Sequence, residues 1–233
     1  MDELMQQVAA AVCAHVEWDY PSLVATPGAA AFRAGDTSAA ALGLVRHLRE
    51  RARPCLGYTA DYVRQLRAHA TPAFREAARR TLDSLSPVGF LGGDWPDGRG
   101  TLLSARPEVL QVAGTPEDFT AYGRLIAESR ETWGQGAVHT VMNIVRYLQF
   151  VWPLEECSDE AILPLFGFLA AQMDKEWQWA QRWGEVSHGT NGHNWWAAQF
   201  GATWKIGLFF PEFRGSRSSR LSAPSGWSAK CAC

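Results

Sequence analysis

No stretch of this chain approaches the ~18 uninterrupted apolar residues that a membrane-crossing helix needs. The N-terminus, MDELMQQVAAAVCAHVEW, has no basic leader. Asp2 and Glu3 stand where a secretory signal carries Lys or Arg, so the chain as written is expected to be cytoplasmic. Neither sign of charge is in excess: 22 basic residues face 24 acidic ones, a net −2. That argues against a nucleic-acid binder, which usually carries a basic excess on one face. The 5 cysteines are odd in number and scattered at 13, 55 and 157, with a terminal pair at 231 and 233. Such spacing gives no disulfide framework and points to reduced thiols. No alternating run is long enough to make a strand. What remains is an apolar spacing of helical period, in a chain of 233 residues that is 47% hydrophobic and 20% charged. Its excess lies in tryptophan, 11 residues beside 11 Phe and 5 Tyr. Large rigid faces of this kind suit both cores and sugar-stacking surfaces.

The helical stripes can be followed along the chain. Leu4, Val8, Val12 and Val16 repeat every four residues behind Asp2 as a cap. Leu42, Val45 and Leu48 follow an Asp36-Thr37 start, and Tyr62, Val63 and Leu66 mark a third helix. Thr71-Pro72 opens a fourth on Phe74, Ala78, Leu82 and Leu85. Residues 86–114 interrupt the pattern with five glycines between Gly89 and Gly100 and three prolines, and read as a long loop. Thr115-Pro116-Glu117-Asp118 is a strong helix start ahead of Phe119, Tyr122 and Ile126. Helices are then expected over about 137–152, from Asp159 on Ile162, Leu165, Leu169 and Met173, and over 195–210, stopped by Pro211. Pro164 should kink the second of these or delay its start. The fold class is all-α, built from antiparallel helical hairpins. Four segments result: helices over 1–85, the loop 86–114, hairpins over 115–213, and a Ser/Arg-rich tail, 214–233, with no apolar stripe and no expected order.

Polar chemistry concentrates in SHGTNGHNWWAAQFGATWKIGLFFPEF, residues 187–213. Ser187, His188, Asn191, His193 and Asn194 fall in a loop that feeds a helix. Asn194 sits where an N-cap belongs and can simply cap the helix. The same position offers free N–H groups and partial positive charge to a carboxylate, with the amide as a further donor. His188 and His193, with Glu185 as the nearest further candidate, lack both a third strong ligand and the spacing of a helix-face metal pair, so neither a metal nor another cofactor is expected. Trp195 and Trp196, beside Asn194, are placed to stack on a sugar ring. Trp177, Trp179 and Trp183 read mainly as core. Asp94 and Glu212 can be read as a glycosidase acid and base, or more plainly as a loop residue and a helix-end residue.

An asparagine that opens a helix closing in Gly207-Leu208-Phe209-Phe210-Pro211-Glu212-Phe213 resembles the heparinase II/III-type polysaccharide lyases. Counting back from Gly207 places Asn194 on the family asparagine without a gap. Trp133, Thr140 and Ile144-Val145-Arg146 are similar to the family's preceding Trp…Thr…Ile-Arg helix. The resemblance spans roughly Phe119 to Phe213. It departs in order, since His193 precedes Asn194 here whereas the family has His after Asn; Asn191 with His193 is an alternative pair.

The resemblance implies a partial (α/α) toroid that cleaves an acidic, uronate-containing polysaccharide by β-elimination. In that chemistry a donor neutralises the uronate carboxylate while C5 loses its proton and the leaving oxygen gains one. It implies Asn194 and His193 as catalytic residues, and His188, Asn191, Trp195 and Trp196 as substrate-binding residues. Family members are often periplasmic or secreted. The family's catalytic tyrosine and a further histidine lie beyond this helix and have no match here. The expectation is therefore an N-terminal toroid portion, inactive alone. A glycoside hydrolase on a similar toroid and a non-catalytic sugar-binding helical remnant are the competing readings.

Overall fold

A computed structural model describes residues 1–51, 60–83, 107–133, 144, 145, 147–149, 151, 152, 154–184 and 206–216, with the backbone alone for 60, 63, 82, 83, 107, 108, 111, 132 and 175–184. Most of its helices start where the sequence supplies an acceptor side chain. Asp2 accepts the Met5 amide and opens α1 (Glu3–Ala14). Thr26 and Pro27 open α2 (Pro27–Arg33), and Asp36 opens α3 (Thr37–Glu50). Next come α4 (Ala60–His69), α5 (Pro72–Asp83) and α6 (Pro107–Ala113). Thr115 and Asp118 exchange hydrogen bonds as a capping box for α7 (Pro116–Glu128), which runs into a 3-10 turn, Arg130–Thr132. The described residues between 144 and 151 are helical. Ser158 then caps α8 (Asp159–Gly184) by accepting the Ala161 amide at 3.1 Å. The described residues are mainly helical and contain no strand. No helix among them is long and apolar enough to cross a membrane.

Five local differences separate the structure from the sequence reading. α2 was not legible from an apolar stripe, because its seven residues, PGAAAFR, pack through small side chains. Helix α6 occupies the end of the segment read as a loop; 84–106 lie outside the described residues. Pro164 does not delay α8, which starts at Asp159 with the proline inside it. It removes one donor near the helix start, and exposed Glu160, whose carbonyl loses that partner, can be served by water. Val16 does not continue α1, which stops at Ala14; it forms an isolated antiparallel bridge with Phe213 instead. The same pairing docks the first residues assigned to the tail. The Arg214 amide donates to the His15 carbonyl at 2.9 Å, and Ser216 is fully buried with its hydroxyl on the Phe210 carbonyl. Residues 217–233 lie outside the described residues.

One core runs through the segments. α8 lies against α1, α3 and α7, burying Ile162, Leu165, Phe166, Leu169 and Met173 completely. Burying such a side chain contributes about 1.5–3 kcal/mol, so this stripe is a large part of the driving force. Trp133 is buried too: its ring presses on Gly167 and its indole N–H donates to the Ile126 carbonyl at 3.0 Å. α4 and α5 pack on α6, and arginines tie this group to the rest. Arg67 donates to the Gly114 carbonyl and to Glu156, and Arg79 holds Asp118 through two bonds of 2.6 and 3.2 Å.

Close backbone approach fixes α7 on α8. A Cβ added to Gly123 would overlap the Ala161 carbonyl oxygen. Ala is favoured over Gly by about 1 kcal/mol inside a helix, yet Gly123→Ala should destabilise the protein by about 1–3 kcal/mol, because rigid backbone must move. Denaturant unfolding measures this, and a stabilised variant would mean that the two helices do not touch at this point. Acid should act on the α5–α7 junction. Burial works to raise the Asp118 carboxyl, but hydrogen bonds from Arg79 and Thr115 outweigh it and hold the group below the ordinary aspartate value. A carboxyl held low in the folded state adds stability above its unfolded value and loses it as pH falls through the folded one. Stability should therefore decline from about pH 5 to about pH 3. Asp118→Asn should flatten that decline in a series of unfolding curves against pH.

Candidate functional site

The site residues named from the sequence, Asn194, His193, His188, Asn191, Trp195 and Trp196, lie outside the described residues. So do Glu185, Ser187, Thr140, Arg146 and Asp94. Trp177, Trp179 and Trp183 fall on α8, where only the backbone is described. The structure does place the two ends that carry this segment. It leaves α8 after Gly184 and returns as a helical turn over 206–209, closed by the Phe210 amide on the Ile206 carbonyl at 2.7 Å.

From that turn the chain is held firmly. Phe210 meets the Phe166 ring edge-on with centroids 5.1 Å apart, and Phe213 stacks on Phe210 at 5.1 Å. Between Phe210 and Phe213 in the chain is Glu212, with no exposed surface. Its Oε1 pairs with Arg51 at the C-cap of α3 and accepts the Ser22 hydroxyl at 2.6 Å. Its backbone carbonyl accepts the Glu17 amide at 2.8 Å. Arg51 also donates to the Phe209 carbonyl at 2.6 Å. The Leu-Phe-Phe-Pro-Glu-Phe end of the motif is thus a buried anchor, and its glutamate binds the protein to itself.

This argues against the reading of Glu212 as a glycosidase carboxylate and agrees with the plainer one of a helix-end residue, since it follows the helical turn over 206–209. A general acid or base must meet the substrate, and a fully buried carboxylate committed to Arg51 and Ser22 does not. Sequence gave little hint of it. Ser22 and Arg51 are 190 and 161 positions from Glu212 in the chain numbering. The one available signal was an acid set directly after an apolar run, where burial demands a partner.

The other titratable groups offer limited chemistry. His15, at the end of α1, places Nδ1 3.2 Å from Asp174 Oδ2 on α8; both side chains are about one third exposed. This is the described pair closest in kind to an acid–base couple, since the carboxylate fixes the ring orientation. Burial, then nearby Arg51, pushes His47 below the ordinary histidine value, against a weaker upward pull from Glu50. Burial raises the Cys13 and Cys157 thiols to about 12 each, so both stay protonated at neutral pH and are poor nucleophiles. Tyr122 and Tyr147 meet in the core with ring centroids 4.2 Å apart and planes tilted by 35°, and burial drives both phenols upward. Neither is a base at neutral pH. No group of three or more His, Cys, Asp or Glu able to hold a metal ion occurs among the described residues.

Comparison with protein-family models, with curated proteins and with solved structures gave no match.

The buried and the exposed pairs should differ in weight. Glu212→Ala strands the Arg51 charge and should cost about 3–5 kcal/mol. Asp174→Ala breaks a partly exposed pair and should cost at most about 1 kcal/mol. Thermal or denaturant unfolding of the two variants checks this, and equal losses would contradict the assignment of Glu212 as the anchor.

Proposed function

We propose that the chain carries the carboxylate-recognising part of a polysaccharide-lyase site, on a helical toroid, and that its ligand is an acidic uronate-containing polysaccharide. The observation that carries this reading is the gapless spacing from Asn194 to Gly207-Leu208-Phe209-Phe210-Pro211-Glu212. Two features of the structure support it. The described residues are mainly helical, as a toroid requires, and the second half of the motif is anchored in the core, as a positioned site requires.

In this reading Asn194 opens a helix and gives its amide, with the free N–H groups beside it, to the uronate carboxylate. Neutralising that charge acidifies the C5 proton and stabilises the enolate-like charge that develops when it leaves. His193 moves a proton at C5 or at the leaving oxygen, and a leaving group at C4 departs as the double bond forms. His188 and Asn191 hold the flanking sugar by hydrogen bonds, and Trp195 or Trp196 stacks on a ring face.

Affinity electrophoresis in gels containing heparan sulfate, alginate or hyaluronan tests this. The chain should be retarded by at least one polymer, and Asn194→Ala should weaken binding at least about tenfold, the usual scale for losing a charge-stabilising donor. Stability should fall by only about 1 kcal/mol, the cost of a lost cap. Unchanged retardation together with the cap-sized loss would leave Asn194 as a helix cap and remove the reading. Products separate the chemistries: elimination leaves an unsaturated uronate that absorbs in the ultraviolet, whereas new reducing ends without that absorbance would mean hydrolysis.

A further inference from the structure

We infer that residues 206–216 form a strap that opens as one unit, with the Glu212 carboxylate as its catch. The inference does not depend on the proposed ligand. The strap's described ties to the start of the chain meet at a few residues. Glu212 pairs with Arg51 and Ser22 through Oε1, and its carbonyl takes the Glu17 amide. The Arg214 amide reaches the His15 carbonyl, Val16 bridges Phe213, and Arg51 holds the Phe209 carbonyl. Lifting Glu212 out of its site pulls on all of these at once, so the ties cannot break one at a time.

The catch also carries a cost of its own. Glu212 is fully buried, yet its Oε2 has no hydrogen-bond partner among the described residues. A buried carboxylate with one oxygen unsatisfied gives up hydration that its single ion pair only roughly repays. Opening restores that hydration, which makes it cheaper than unfolding the helices beneath. Phe210 and Phe213, packed on Phe166, oppose opening and keep the closed form dominant. A β-turn within the strap shapes its end: Gly215 takes a positive φ of 79° and lets the Ser216 amide reach back to the Phe213 carbonyl at 3.1 Å.

Native-state hydrogen exchange on the whole chain decides the matter. The amides of Glu17 and Arg214, whose bonds cross between the strap and the start of the chain, should share one opening equilibrium, easier than that of amides inside α3 and α8. Glu212→Gln keeps the shape and removes the charge; it should speed both by a common factor of at least about ten and leave Leu48 and Leu169 unchanged. Ser22→Ala, a milder change that leaves the ion pair, should speed the same two by a smaller common factor, and it carries the test if Glu212→Gln does not fold. Unequal changes in the two amides, or equal acceleration of Leu48 and Leu169, would overturn the inference.

Discussion

A carboxylate with no exposed surface, Glu212, is held by Arg51 and Ser22, and the described structure closes around that contact. A charge in that position is tolerable only with a partner, because its desolvation costs several kcal/mol. The partner lies at the end of α3, and the hydroxyl lies just before α2. The pair therefore dictates that the chain's first helices and its 206–216 segment share one interior. The aromatic stack of Phe166, Phe210 and Phe213 supplies the apolar drive, and the ion pair supplies the register. A shift of one residue along this segment would bring Pro211 or Phe213 to Arg51 and leave both charges unmatched.

The same contact explains how a site could be held by residues that do no chemistry. The helical turn over 206–209 leads into residues fixed on three sides by Phe166, Arg51 and the Val16 bridge. Rigid elements position donors better than loops do. Arg49 repeats the device on the other side of α8. It binds Asp159 and the carbonyls of Trp152, Leu154 and Cys157, so one guanidinium fixes both the entry to α8 and the turn before it. Two arginines, spaced by one residue at the end of α3, thus organise the chain on either side of the long helix.

Much of the helical layout was legible because it follows local rules. Asp2, Asp36, Thr115 and Ser158 accept the amides that a cap must satisfy, and the stripes of α1, α3, α7 and α8 point into the core as their spacing predicts. α2 escaped because alanines and Gly28 make a helix without a stripe, where Gly43 of α3 comes so close that an added Cβ would lie 2.6 Å from the Gly28 Cα. The Val16–Phe213 bridge and the Glu212 contact escaped for another reason: their partners are separated by most of the chain, and periodicity carries no information over such distances. At the site, the Asn194 reading came from a motif. The structure describes the anchored half of that motif, Phe209 to Phe213, and assigns it a structural role that its sequence alone left open.

The relation between Arg51 and Glu212 is best measured by a double-mutant cycle on unfolding free energy, comparing Arg51→Met, Glu212→Leu and the pair together. If the two residues form the buried catch, each single change strands a charge, while the double change removes both. A coupling of at least about 2 kcal/mol should result, with the double variant more stable than the worse single one. Single effects that simply add, to within about 0.5 kcal/mol, would show that the two side chains do not depend on each other and that the chain's ends are joined by something else.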